Sequence, residues 1–328
     1  MVQALPRATG TGERAQDLCR PIQGPSAARR RLGRALLAAC LGLPLSACRA
    51  APTSEAQGRT RVVLLGSGTP NPEPERQGPA TAIVVDDGVY LVDFGPGVVR
   101  RAAAAGLPMP ALNRAFVTHL HSDHTAGLAD LLLTPWVLGR SAPLDVIGPP
   151  GLASMGEHLQ AAYAEDVRMR LDGLEPANPS GWELRAHEVS PGEVYRDERV
   201  KVRAFAVDHG SWEHAYGYRF ETPDRVIVIA GDTRPSDAVL EAARGADVLI
   251  HEVICEAGLA LRAPEWQAYH RAFHTTGPEL GALAAEARPG KLVLHHVLLS
   301  GCTEDQLRAE ITDKYRGELV FGRDLQVF

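Results

Sequence analysis

Thr118-His119-Leu120-His121-Ser122-Asp123-His124-Thr125-Ala126-Gly127 is the stretch on which the reading of this chain turns. Three imidazoles and one carboxylate within six positions are costly to hold together without a cation. Imidazole and carboxylate together form a donor set for zinc and similar ions. The run directly follows residues 115–117, an apolar segment that reads as a strand, so the pattern predicts a metal-binding turn at a strand end. There His119 and His121 can aim at one ion while Asp123 and His124 face another. Two ions need more ligands, and candidates recur downstream. His209 follows the predicted strand 201–207, Asp232 follows 226–229 within Ala230-Gly231-Asp232-Thr233, and His296 follows 292–294. Each alone is compatible with an ordinary loop residue. Together they occupy the same topological place, where α/β folds build their sites.

Around this core the 328 residues are 45% hydrophobic, 23% charged and 5% aromatic, which excludes low-complexity, collagen-like and coiled-coil chains. Charge is unevenly placed. Residues 1–48 hold seven arginines against Glu13 and Asp17, a net of +5; the 27 basic and 38 acidic residues that remain give 49–328 a net of −11. A body that acidic has no global attraction for a polyanion, so nucleic acid is expected to be an unlikely partner. The head has its own logic. Arg29, Arg30, Arg31 and Arg34 precede the apolar run 35–45 and then Leu45-Ser46-Ala47-Cys48, which together read as an export signal spanning 1–48, with an overlong first 28 residues. Its last four residues resemble a bacterial lipobox, which implies lipidation of Cys48, a periplasmic or membrane-anchored protein, and membrane contact only through that lipid. Residues 49–60 read as a flexible tether. Cys255 and Cys302 do not make a disulfide framework and lack metal-site spacing.

From residue 61 short apolar strands alternate with amphipathic helices, predicting a single mixed α/β domain over 61–328, with antiparallel hairpins early and strand–helix alternation later. Predicted helices cover 98–105, 128–138, 152–162, 236–243, 278–287 and 304–315.

His119-x-His121-x-Asp123-His124, then His209, Asp232 and His296, resembles the ligand series of the metallo-β-lactamase superfamily. Leu65-Gly66-Ser67-Gly68-Thr69-Pro70, Leu91-Val92-Asp93-Phe94-Gly95, Ile147-Gly148-Pro149-Pro150-Gly151, His251-Glu252 and His274-Thr275-Thr276 narrow it to the ribonuclease Z group and the related arylsulfatase-like hydrolases. The resemblance implies an αββα sandwich with two Zn²⁺ at one edge of the sheets, Mn²⁺ or Fe²⁺ being the other candidate native metals. It implies that His119, His121 and His209 hold one ion, that Asp123, His124 and His296 hold the second, and that Asp232 bridges them. His296 is preferred over its neighbour His295 because the family's last ligand closes the corresponding motif. A hydroxide shared by the ions would be the nucleophile. Asp123 would orient it, and His274 backed by Glu252 would stabilise the transition state or protonate the leaving oxygen. Asp93 is expected to support a ligand histidine from behind. Trp212, in the loop after His209, is a candidate to stack on an aromatic leaving group, against the commoner role of packing on a hairpin. His158, His187, His251 and His270 match no ligand position.

The ribonuclease Z group usually carries a long arm between the positions matching His209 and Asp232, where this chain has 22 residues. With the acidic body and the export signal, that departure favours hydrolysis of sulfate-ester or phosphodiester bonds in a small-molecule ester substrate. The alternatives are a ribonuclease Z-like 3′ tRNA-processing endonuclease, a cyclic-nucleotide phosphodiesterase or a lactonase, and, less favoured, a non-catalytic metal-binding lipoprotein. The oligomeric state stays open, a homodimer among the options.

Overall fold

The computed structural model describes residues 59–328; the export signal, Cys48 and most of the tether lie outside the described residues. In the first sheet β1 (Thr60–Gly66), β2 (Ala80–Val85) and β3 (Gly88–Val92) pair antiparallel, and β4 (Arg114–Phe116), β5 (Leu144–Gly148) and β6 (Leu184–Glu188) extend it in parallel. The second sheet begins antiparallel with β7 (Gly192–Arg196), β8 (Lys201–Ala206), β9 (Tyr216–Glu221) and β10 (Val226–Ile229). It continues in parallel through β11 (Val248–Ile254), β12 (Lys291–Leu298) and β13 (Glu318–Phe321).

Side-chain alternation sets the layers. In β1, Val62 and Leu64 join Ile83, Phe116, Tyr218, Ile229 and Ile250 in a core between the sheets. Val63 and Leu65 turn the other way, toward the helices Val98–Ala104 and Leu128–Val137. The second sheet is covered likewise by Asp237–Ala243, Gly277–Ala287 and Glu304–Thr312. Strands buried on both faces must be apolar throughout, which is why they read as continuous hydrophobic runs. The result is the expected αββα sandwich.

Strands predicted at 62–65, 82–85, 90–92, 115–117, 144–147, 201–207, 216–220, 226–229, 248–250 and 292–294 and the six predicted helices each have a counterpart. The structure adds β6, β7 and β13 and the helices Ala164–Asp172 and Pro264–Phe273. β6 and β7 are Leu-Arg-Ala-His-Glu and Gly-Glu-Val-Tyr-Arg at the open ends of their sheets, half in water and short of apolar residues. Cys255 and Cys302, expected to make no disulfide framework, are joined by a disulfide across 47 residues. The reason is topological: parallel neighbours β11 and β12 end side by side, and each cysteine follows one of them.

Residues 326–328 return to β1. Phe328 and Val62 exchange backbone hydrogen bonds, the Leu64 N–H donates to Gln326 O, and Arg225 Nη1 donates to Phe328 O at 2.8 Å. Just before this tail, Asp324 accepts the backbone N–H groups of Ser67 and Gln77, each at 2.9 Å.

Candidate metal centre

β4 ends at Phe116 and delivers Thr118 and His119, after which the short helix Ser122–Thr125 presents Asp123 and His124. The loop after β3 braces this turn. Asp93, at φ 60°, accepts the Thr118 N–H on Oδ1 at 2.8 Å and the His124 Nδ1–H on Oδ2 at 2.8 Å. Gly95 lies so close that a Cβ there would stand 2.4 Å from the Asp123 carbonyl oxygen, so only glycine lets the two loops meet.

Two sets of ligand atoms result. His119 Nε2 lies 2.9 Å from His121 Nδ1, which lies 3.1 Å from His209 Nε2. His119 is oriented by Thr118 Oγ1 at 3.0 Å, and His209 Nδ1–H donates to Phe273 O at 2.8 Å. In the second set, His296 Nε2 lies 3.2 Å from Asp123 Oδ2, and His124 Nε2 lies 3.7 Å from the same oxygen. Asp232 Oδ2 is 3.5 Å from His124 Nε2 and 3.4 Å from His296 Nε2, while Asp232 also groups with His119 on the side of the first set. The structure therefore brings all seven side chains of the ligand series together, with Asp232 between the two sets.

This arrangement fits divalent ions. The buried His124 Nε2 and Asp232 Oδ1 have no hydrogen-bond partner, a costly state that a cation would relieve. Charges in the cluster pull against burial. Burial disfavours the His124 cation, yet Asp232 and Asp93 push its pKa well above the usual value. Burial raises Asp232, but His296 and His124 hold it well below the carboxylate range. His119 is driven well down by burial and by the His124 charge.

Position along β12 explains how His296 enters. Opposite Glu252 of β11 the strand carries one extra residue, since His251 pairs with Leu294 and Val253 with Val297. His296 takes φ 46° within this bulge, and bulges re-aim side chains. His295 supplies no atom to either set, and both its ring nitrogens are buried without partners. Glu252 Oε1 accepts the Thr275 N–H at 2.7 Å, and Oε2 lies 3.2 Å from His274 Nδ1. Burial, then the nearby Asp232 charge, pushes Glu252 well above its usual pKa, and burial draws His274 down to about 4.

A cavity of about 450 Å³ opens over the cluster, lined by His121, Asp123, Asp232, His274 and His296, with Trp266, Tyr269 and His270 on its outer wall. Trp212 does not line it. Its indole N–H donates to His121 Nε2 at 2.8 Å, a packing role rather than a stacking platform. That bond places the His121 proton on Nδ1, and a cation taking Nδ1 would displace the proton and make the indole give way. His158 bonds within its own helix, His187 pairs with Asp145 on the open strand β6, and His251 is buried. His270 is the histidine that matches no ligand position yet reaches the cavity. The signal that could have found it is Trp266, Tyr269, His270 and Phe273 at i, i+3, i+4 and i+7, one face of a helix.

Comparison with known proteins gives the family and the fold. Residues 89–297 match the family model described as beta-lactamase superfamily domain. Ribonuclease Z of Mycobacterium marinum is 36% identical over 271 residues, covering 80% of this chain and 96% of the relative. Ribonuclease Z of Mycobacterium bovis is 35% identical with the same coverage. Among solved structures, the metallo-beta-lactamase fold protein YhfI from Bacillus subtilis superposes with TM-score 0.65 at 19% identity, covering 82% of this chain and 98% of that one. The short form of human tRNase Z superposes with TM-score 0.63 at 22% identity and the same coverage. These likenesses carry the fold. The relatives correct the expectation of a small-molecule ester substrate with nucleic acid unlikely, since they bear the name of a ribonuclease. They also remove one of its supports. An alignment of 271 residues spanning 96% of the M. marinum protein leaves no room there for a long arm that this chain lacks.

Proposed function

The chain belongs to the beta-lactamase superfamily and is a metal-dependent hydrolase of that fold, and from this footing we propose that it is a ribonuclease Z-like endonuclease that cleaves phosphodiester bonds in RNA. The observation that carries the reading is the double ligand set around Asp232 beside the Glu252–His274 pair, and the 36% identity to a ribonuclease Z supports RNA as its object.

In this reading His119, His121 and His209 would hold one divalent ion, Asp123, His124 and His296 a second, and Asp232 would serve both. Bound there, such ions supply Lewis-acid polarisation of the phosphoryl group and a nucleophile at neutral pH. The chain's own residues do the rest. Asp123 reaches the cavity with one face and can orient the attacking water by accepting its hydrogen. His274 Nδ1 rests against Glu252, which turns Nε2 toward the cavity. Burial keeps His274 neutral in the free site; the negative charge of a bound phosphoryl group favours its cation, so proton donation to the leaving oxygen is tied to the presence of substrate. Glu252, held by the Thr275 N–H, fixes the ring during that transfer.

Metal-loaded protein should cut a precursor tRNA bearing a 3′ extension, and a chelator should stop it. Hydrolysis of bis-aryl phosphate or aryl sulfate with RNA left intact would overturn the assignment. Export through residues 1–48 is a separate proposal, supported by the disulfide, which suits an oxidising compartment. Fractionation with mass spectrometry of the amino terminus tests it, and an intact Met1 in the cytosolic fraction would refute it.

A further inference from the structure

The helix Pro264–Phe273 carries a ladder of rings away from the ligand cluster. Phe273 is buried and packs edge-on against His209 at 4.9 Å. Tyr269 stacks on Phe273 at 4.3 Å and 26°, and Trp266 meets Tyr269 edge-on at 5.7 Å. Exposure rises along the ladder to 39% at Tyr269 and 55% at Trp266. A large ring left in water at a cavity mouth is not explained by core packing.

Space continues past it. A second cavity of about 320 Å³ shares Asn71, Trp266, His270 and Leu298 with the first. Arg262 lines its far side, exposed and with no ion pair among the described residues. Glu73 also lies there but pairs with Arg76 at 3.6 Å. Ligand cluster, aromatic ladder and free guanidinium thus follow one another along a single groove.

We propose that this groove is a nucleotide subsite: a base of single-stranded RNA adjoining the cleaved phosphate stacks on Trp266, and Arg262 takes a neighbouring phosphate. The proposal rests on the RNA reading above. Base–aromatic stacking tolerates any base, since every base has a flat face, and one guanidinium reads the backbone without regard to sequence. The base must be unpaired on its way in, because a stacked duplex hides both its faces.

The test uses full-length, metal-loaded protein and a short RNA that the wild type cuts. Trp266→Ala should raise KM roughly 10-fold with kcat nearly unchanged. The difference from wild type should vanish when the nucleotide on one side of the cleaved bond is abasic. Arg262→Gln should weaken binding and lower the slope of log affinity against log salt by about 0.7, a change Trp266→Ala does not make. An unchanged KM for Trp266→Ala would overturn the proposal. So would an equal loss on abasic and base-bearing RNA, which would mark Trp266 as a packing residue. A wild type that leaves all RNA uncut overturns the reading beneath it, and that outcome appears before any variant is made.

Discussion

Asp93→Asn changes one atom and, in the two-ion reading, should weaken one of the two proposed metal sites by a calculable amount. Asp93 is 2% exposed, and its two oxygens accept from two fixed donors, the Thr118 N–H and the His124 Nδ1–H, both at 2.8 Å. Asparagine has a single acceptor oxygen, so either orientation of its amide sets an NH₂ group against one of these donors. The Thr118 N–H cannot move its proton. The histidine can, so the cheaper outcome puts the His124 proton on Nε2, the atom 3.5 Å from Asp232. A ring N–H there stands where a cation needs a lone pair. Outer hydrogen bonds of this kind are worth about 10- to 100-fold in metal affinity, or about 1.4–2.7 kcal/mol. The assay is a zinc titration against a chromophoric chelator, with metal counted by mass spectrometry and a thermal melt to check the fold. We expect one ion weakened by that factor and the other retained. Two ions held at wild-type affinity by Asp93→Asn would refute the reasoning.

Glu252→Gln should lower kcat by roughly 10²-fold with metal content unchanged, because it disturbs the group behind His274 rather than a ligand; lost metal would contradict this. The Cys255–Cys302 bond closes 47 residues, worth about 4 kcal/mol in a chain-entropy treatment. Peptide mapping should find the pair oxidised, urea unfolding should show the loss on reduction, and free thiols at both positions in air-purified protein would argue against it. Arg140 donates to the carbonyls of Leu112, Leu131, Leu132 and Gly181 at 2.5–2.9 Å inside the protein. Arg140→Met should therefore cost about 3–5 kcal/mol in a urea titration, and a loss near zero would show the carbonyls finding other partners. Burial pushes His251 to about 4 and His295 to about 3, below their unfolded value of about 6.5. The unfolded chain then binds more protons in that window, so stability should hold above about pH 6.5 and fall as pH drops toward 4. Urea midpoints that stay level from pH 7 to pH 4.5 would exclude this contribution.

Much of the candidate centre was legible because its candidate ligands follow strand ends, and strands buried on both faces announce themselves as apolar runs. The choice between His295 and His296 was not a matter of strand period. The extra residue on β12 breaks the two-residue alternation at that point, and only the motif resemblance favoured His296. The helix Pro264–Phe273 escaped because only Phe273 is buried, and Glu265, Gln267 and Arg271 make most of its surface polar, so no apolar run marks it. The disulfide was invisible because it depends on which strands are neighbours. Net charge misled most. A net charge of −11 summed over residues 49–328 says little about one groove lined by the unpaired Arg262.

The returning tail has a consequence for how the protein is made. Synthesis runs from amino to carboxyl end, so Leu64 of β1 emerges 262 residues before its partner Gln326. Until residues 326–328 are made, β1 has one unzipped edge, a state prone to mispairing with other chains. Asp324 is made just before them and clamps Ser67, whose carbonyl accepts the His296 N–H at 3.1 Å. A product truncated before Asp324 would keep every candidate ligand side chain yet lack the clamp behind His296, so the candidate centre depends on a segment made well after its own residues.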